Sequence, residues 1–380
     1  MDNDIFIIAG EPSGDLHGAN LVRNLKIINP KLRFFGFGGE KMLSSGVKLY
    51  FNLSELAVVG FIEVLKNLNV FKKLFNDILE EINKIKPKAI ILIDYPGFNL
   101  RLAKTIKEKY PQVLVIYYIS PQVWAWDSKR IAVIEKVVDK MLVIFKFEEE
   151  LYKKYHVPVD FIGHPLLDSV KITKTKEEFL DEYNLKSSKK TICLLPGSRE
   201  NEVKFNLEIM LNSIKIFSKE IKDYQFIILK PDNLKMPLYQ EIMDKCGIGI
   251  SVIENDTYNG IAASDFCLVA SGTATLETAI IKKPMFVIYK VKLLTWIIAK
   301  LLIKLKFISL VNIVAGRKIV PEFLQFRAKP DIISQEMVKF LNHPSEIDKM
   351  ILDLSIVNES LGSSGASANA AQIIDTFLYN

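Results

Sequence analysis

Phe266-Cys267-Leu268-Val269-Ala270-Ser271-Gly272-Thr273-Ala274-Thr275-Leu276-Glu277 is an apolar run that stops at a small-residue turn and restarts with helical character. A strand ending in this way aims free backbone N–H groups and the positive end of a helix dipole at one point, which suits an anion. The design occurs a second time in Thr191-Ile192-Cys193-Leu194-Leu195-Pro196-Gly197-Ser198-Arg199, where a guanidinium lands beside the next helix start. Two such turns in one half of the chain suggest a cradle for a diphosphate.

Around these turns the same rhythm continues. Apolar runs Ile5 to Ala9, Phe34 to Gly38, Ala89 to Ile93, Val113 to Ile119 and Met141 to Ile144 are separated by amphipathic stretches. The second half repeats the alternation, with runs near Ile192 to Leu195, Phe226 to Leu229, Ile250 to Ile253 and Met285 to Tyr289. Short apolar runs between helices mean parallel sheets covered on both faces, so the pattern predicts two doubly wound α/β domains facing a central cleft. Gly163-His164-Pro165 marks the expected join. The expected division is 1–165, 166–341 and a tail at 342–380, with ligands beyond the carboxyl ends of the strands.

A length of 380 residues suits two domains, and 49% hydrophobic residues can fill two cores. The net charge of +6 fits an anionic ligand or an anionic lipid surface as well as nucleic acid. No basic-aromatic stripe or RNA motif appears, which makes nucleic acid the weakest of these partners. Cys193, Cys246 and Cys267 are scattered, without a Cys-x-x-Cys pair, and read as thiols of a reducing compartment rather than as zinc ligands. The opening Met1-Asp2-Asn3-Asp4 lacks the cationic start of a signal peptide, and the longest uncharged stretch is broken by Pro111 and Pro121. A cytoplasmic protein, soluble or peripheral on a membrane, is the expectation.

Asp94 closes the most apolar run of the first half, in Ile93-Asp94-Tyr95-Pro96-Gly97-Phe98-Asn99. At the rim of a sheet it would be partly desolvated, with a raised pKa, which is where a general base belongs. Capping of the next helix is the plain rival, but Pro96 intervenes. The turn Gly10-Glu11-Pro12-Ser13-Gly14-Asp15 is neither a dinucleotide fingerprint nor a P-loop. Ser13, Gly14 and Asp15 are candidates for a ligand contact, with Ser13 or Asp15 as a helix cap about equally favoured. In the second half Gly197, Ser198, Arg199, Ser271, Gly272 and Thr273 supply donors for phosphate oxygens. Glu277 lies one position too far from Thr273 for a capping box and could accept two ribose hydroxyls.

Tyr117 to Trp126 is densely aromatic, and Gln122 and Trp124 in it are candidates for sugar or acyl recognition. Phe61 to Phe75 places Val64, Leu65, Leu68 and Phe71 beside Lys66, Lys72 and Lys73, and Lys290 to Lys306 has a similar composition. Each alone reads as an ordinary core-facing helix; together, with the basic balance, they point to a lipid surface. The only literal Asp-x-Asp is Asp2-Asn3-Asp4, so no metal and no other cofactor is expected; helix dipoles and Arg199 would steady a departing diphosphate.

Ala9 to Asp15, Leu56 to Leu65, Ser120 to Trp126, Gly163 to Pro165, Leu195 to Arg199 and Ala270 to Glu277, in this order, closely resemble the motifs of the lipid-A-disaccharide synthase family. The resemblance implies the GT-B glycosyltransferase fold, with C-terminal helices that return to the first domain and can exchange between the subunits of a homodimer. It implies an inverting transfer from UDP-2,3-diacylglucosamine to 2,3-diacylglucosamine 1-phosphate (lipid X), giving a β-1,6-linked disaccharide 1-phosphate and UDP at the cytoplasmic face of the inner membrane. Matched by motif, the family's essential acid falls on Asp94, its diphosphate arginine on Arg199, its nucleotide-contacting glutamate on Glu277 and its asparagine before Ala-Gly-Arg on Asn312. Glu63 falls in a matched motif and joins the acceptor-side candidates. Some members carry a second acid where Gly97 stands, so the resemblance leaves Asp94 as the sole base there. The alternatives are another UDP-sugar-using GT-B enzyme, or a nucleotide-sugar binding protein without catalysis.

Overall fold

A computed structural model of the chain describes residues 3–52, 68–126, 129–293, 296 and 306–379. Two compact units emerge, one from Met1–Pro165 with Leu361–Asn380 and the other from Leu166–Ser360. Every strand pairing in both is parallel. Parallel strands need crossovers and have both faces covered, so each strand reads as a continuous apolar run instead of an alternating one.

Among the described residues the first unit holds seven strands: β1 (Asp4–Ala9), β2 (Arg33–Gly38), β3 (Val47–Asn52), β4 (Ala89–Ile93), β5 (Leu114–Tyr118), β6 (Lys140–Val143) and β7 (Val159–Phe161). Their order is β3-β2-β1-β4-β5-β6-β7. All residues of β1 and β4 are buried. The direction of winding reverses between β1 and β4, where in-register pairing sets Ala9 beside Ile93. The turns that follow these two strands, Gly10–Asp15 and Asp94–Asn99, therefore open at the one place where the crossovers part and leave a crevice.

The second unit repeats this plan with β8 (Lys190–Leu195), β9 (Tyr224–Lys230), β10 (Ser251–Glu254), β11 (Phe266–Ala270), β12 (Met285–Tyr289) and β13 (Glu322–Leu324). The order is β10-β9-β8-β11-β12-β13, and the reversal falls between β8 and β11. The two turns singled out from the sequence, after Leu195 and after Ala270, are the turns at this reversal. Cys193 and Cys267 are register partners there, buried as free thiols with their sulfurs 3.2 Å apart.

The tail returns to the first unit later than the expected position 342. Helix Pro344–Ser360 stays with the second unit, where Leu354 and Val357 are buried and the Asp353 carboxylate takes a fork of two bonds from Arg317, at 2.7 and 3.2 Å. Crossing back begins at Leu361. Helix Ala366–Tyr379 then lies against helix Pro12–Ile28, and its Ala370, Ala371, Ile374 and Leu378 join the core made by Ile5, Ile7, Leu21 and Leu25. The side chains of β1 on this face are thus covered by the last residues of the chain. The three-residue strands β7 and β13 have no apolar run long enough to announce them, and the six residues of β3 are broken by Lys48.

Candidate active site

In the first unit the site is built on Asp94. Both Asp94 and Tyr95 have φ of 46°, a left-handed conformation that costs of order 1–3 kcal/mol per non-glycine residue. The surroundings hold them there. The Asn99 amide nitrogen donates to the carbonyls of Ile93 and Asp94 at 3.1 and 2.7 Å, the Tyr117 hydroxyl donates to the Asp94 carbonyl, and the Asp94 N–H donates to Tyr118 O at 3.2 Å. Asn99 and Tyr117 are wholly buried. The backbone of Asp94 is therefore fixed by rigid groups, and its carboxyl is half-buried.

Burial, and then the negative charge of Glu11, push the Asp94 carboxyl up to about 6, against a smaller opposing pull from the Tyr95 N–H. Such a carboxylate is ionised at pH 7 yet far more basic than one in water. Glu11 was not read from the sequence as a site residue. The register that places Ala9 beside Ile93 brings it there, and Gly10 lets the chains approach, since a Cβ at that position would meet the Tyr95 ring at 2.9 Å.

The other first-unit candidates separate into different roles. Ser13 is exposed on the first turn of helix Pro12–Ile28, and Gly14 is buried there. Asp15 is corrected: it is buried, and its two oxygens accept the N–H groups of Gly39, Lys41 and Met42 at 2.7, 3.0 and 3.0 Å. It caps the short helix Glu40–Ser44 and ties the β1 turn to the β2 turn, because orphan N–H groups at a buried helix start need an acceptor. Gln122 is exposed. Trp124 spends its indole N–H on Glu148 Oε1 at 2.9 Å and stands edge-on to Phe147, ring centroids 5.2 Å apart. Burial pushes the Glu148 carboxyl up to about 8. Burial likewise lowers His17, and takes His164 down to about 4, so the His164 imidazole is neutral at pH 7.

Glu63, Val64, Leu65 and Lys66 lie outside the described residues. Leu68 and Phe71 fall in helix Leu68–Ile85, with side chains outside the described set, while Lys72 and Lys73 are exposed near its start. Most of the second basic amphipathic stretch, Lys290 to Lys306, is also outside the described residues.

In the second unit a cavity of about 450 Å³ opens beyond the carboxyl ends of β8, β9 and β11, lined by Gly197, Ser198, Ser271, Gly272, Thr273 and Glu277 among others. Gly197 sits at φ 125° with Glu202 so close that a Cβ would meet its side chain at 2.6 Å, which no larger residue could accept. Glu202 is a residue the sequence reading missed. Its Oε2 accepts the N–H groups of Ser198 and Arg199 at 3.1 and 3.3 Å, and its Oε1 pairs with Arg199 Nη1 at 3.2 Å. A carboxylate thus marks the anion position at the start of helix Glu200–Glu220, and Arg199 extends from the rim with its side chain 82% exposed.

Ser271 is held by N–H to Ile288 O at 3.1 Å and by Oγ to Ile308 O at 3.2 Å. Glu277 faces the same cavity and accepts from the Tyr258 hydroxyl at 3.1 Å; burial raises its pKa and this bond lowers it. Asn312 is corrected as a direct nucleotide contact. It is fully buried, its Nδ2 donates to Val320 O and Glu322 Oε1 at 3.0 and 2.9 Å, and its Oδ1 accepts Ile319 N and Val320 N at 2.8 and 3.0 Å. An amide so engaged has no group left for a ligand. Among the described residues no group of three or more His, Cys, Asp or Glu side chains is placed to hold a metal. The positive charge beside the cavity is that of Arg199, while the N–H groups of Ser198 and Arg199 are taken by Glu202 and that of Ser271 by Ile288 O.

Comparison with known proteins fits this geometry. Residues 5–374 match the family model described as lipid-A-disaccharide synthetase. The chain is 40% identical over 375 residues to the lipid-A-disaccharide synthase of Syntrophus aciditrophicus, covering 98% of this chain and 97% of that one. It is 39% identical over 375 residues to lipid-A-disaccharide synthase 1 of Legionella pneumophila strain Lens, covering 97% and 96%. Among solved structures, the fold is similar to a putative UDP-N-acetylglucosamine 2-epimerase from Listeria monocytogenes, with a TM-score of 0.65 at 15% identity over 100% of this chain and 97% of that one. It is also similar to the calicheamicin glycosyltransferase CalG4, with a TM-score of 0.61 at 10% identity over 99% and 98%. Two parallel-sheet units with their crevices at the strand reversals, and a family match that runs along almost the whole sequence, make this chain a GT-B enzyme of the lipid-A-disaccharide synthase family.

Proposed function

We propose that the chain condenses UDP-2,3-diacylglucosamine with 2,3-diacylglucosamine 1-phosphate to give the β-1,6-linked lipid A disaccharide 1-phosphate and UDP. The 6-hydroxyl oxygen of the acceptor forms a bond to the donor's anomeric carbon as the bond from that carbon to the β-phosphate oxygen breaks. Configuration inverts, the hydroxyl proton passes to Asp94, and the electron pair leaves with UDP. One base suffices, because a diphosphate is a good leaving group once its charge is neutralised. Arg199 and the turns at Gly197–Ser198 and Ser271–Thr273 take the diphosphate, and Glu277 takes the ribose hydroxyls.

The observation that carries this reading is Asp94: a half-buried carboxyl raised to about 6, on a strained turn at the strand reversal of the first unit. Ser13, Gly14, Glu63, Gln122 and Trp124 belong to the acceptor side. Asp15 supports that side from behind. Val64, Leu65, Lys66, Leu68, Phe71, Lys72 and Lys73 contact the acyl chains and headgroups of the inner membrane's cytoplasmic leaflet, to which the protein binds peripherally. No helix among the described residues is long and apolar enough to cross a membrane. A homodimer with exchanged tails is part of the same proposal, and no metal takes part.

The test is to mix the purified protein with the two acylated sugars and follow the product by mass spectrometry, with and without a chelator. A disaccharide 1-phosphate formed in both arms is the expected result. Turnover of unacylated UDP-sugars alone would assign the chain to another reaction, and UDP binding without product would make it a binding protein.

A further inference from the structure

Glu322 lies outside the cavity, on the edge strand β13, yet its four donors outnumber the three on Glu202 and the one on Glu277 in the cavity's wall. Its Oε1 accepts Ser309 Oγ at 2.6 Å, Ser309 N at 3.0 Å and Asn312 Nδ2 at 2.9 Å, and its Oε2 accepts Ile308 N at 3.2 Å. Ser309 stands at the N-cap of helix Leu310–Ala315 and does not use its hydroxyl as a cap; Glu322 takes it instead. Asn312 is locked from its other side by Ile319 and Val320. The carboxylate therefore fixes the 308–309 turn to β13, which pairs with β12 at Val287.

That turn carries the acceptor for the diphosphate turn. Ile308, whose N–H is held by Glu322, offers its carbonyl to Ser271 Oγ at 3.2 Å, while Ile288, next to Val287 on β12, takes the Ser271 N–H at 3.1 Å. One grip on Ser271 thus comes from β12 and the other from the 308–309 turn, and the one on its side chain depends on Glu322. Removing one acceptor from a charge-assisted group of this kind frees the segment it ties.

We infer that Glu322 is a positioning residue for UDP binding, acting through Ile308 on Ser271, and that Asn312 serves the site through Glu322. The inference rests on the reading of the Ser271 turn as a diphosphate contact.

A double-mutant cycle on the full chain tests it: Glu322→Gln, Ser271→Ala and the pair, with UDP and uridine affinities measured by calorimetry. Ser309→Ala, which removes the shortest bond to Glu322, serves as the milder second variant. The expected result is UDP binding weakened roughly tenfold by Glu322→Gln, with uridine binding unchanged, and less than about a twofold further loss when Glu322→Gln is added to Ser271→Ala. Ser309→Ala should follow in the same direction with a smaller loss. Equal losses for UDP and uridine, or fully multiplicative losses in the pair, would overturn the inference while leaving the diphosphate assignment intact. A Ser271→Ala variant that binds UDP normally would overturn the assignment itself, and the inference with it.

Discussion

Asp94 sits in a conformation that costs energy and in surroundings that disfavour its charge. The surroundings make it a better base, and the backbone conformation sets where it sits. Its pKa is raised above the value of 3.8 expected when unfolded, so between these two values the native chain holds a proton that the unfolded chain has lost. Stability from this group is accordingly greatest at low pH and falls as pH rises toward 6, leaving a cost at neutral pH on the order of 1–2 kcal/mol after screening. Activity should run the other way: kcat/KM is expected to fall on the acid side with an apparent pKa near 6, measured in a pH–rate profile. Because the Glu11 charge raises Asp94, Glu11→Gln should move that limb to lower pH; a limb that stays in place would show that Glu11 does not act on the base. The position of Asp94 was legible in the sequence because it closes the most apolar strand of the first half, where partial burial follows. Glu11, Glu202 and Tyr258 were less so, since their parts depend on strand register and on which turn folds over which. The Ser198-to-Glu202 spacing held the signal for Glu202, through its reach back to the N–H groups of a helix start.

Single elements show the same division between what a local pattern reveals and what it hides. The turns after β8 and β11 were readable because an apolar run halting at Pro-Gly-Ser or Ser-Gly-Thr has one common physical meaning, a strand that delivers backbone donors to an edge. β13 was not, because a three-residue edge strand, Glu322–Leu324, is specified by its partner β12 and by the side-chain bonds of Glu322 rather than by its own hydropathy. Asn312 was a candidate only by resemblance, through its place before Ala315-Gly316-Arg317, and a motif match cannot show that its amide is consumed inside the fold. Asn312→Ala should therefore lower stability by roughly 2–4 kcal/mol, since four buried bonds lose their partner. Urea unfolding measures this, and an unchanged midpoint would argue against the structural role.

At the scale of the molecule, the two sheets share one plan, and that plan was visible in the alternation of apolar runs and helices across 380 residues. The point where the chain turns back was harder to see. The stretch Gly362-Ser363-Ser364-Gly365 reads as a hinge, but no local pattern says that helix Pro344–Ser360, held to its unit by Asp353 and Arg317, stays behind while helix Ala366–Tyr379 completes the core of the other. Contacts between the first strand and the last helix carry the largest sequence separation in the fold, and the first unit depends on them. Ile374→Ala should destabilise that unit by about 2–4 kcal/mol, and deletion of 361–379 should leave the chain insoluble. Soluble yield and thermal melting report both outcomes, and a well-folded truncated chain would contradict the assignment of the tail to the β1 core.

In the proposed reaction Asp94 takes the acceptor's proton and the second unit binds the nucleotide. Asp94→Asn keeps the size and polarity of the side chain and removes only its basicity, so a single preparation can report on both parts. Measured side by side, UDP affinity should stay within about twofold of the parent while disaccharide formation falls by roughly a thousandfold or more. Disaccharide formation near the parent rate, with UDP still bound, would contradict the account.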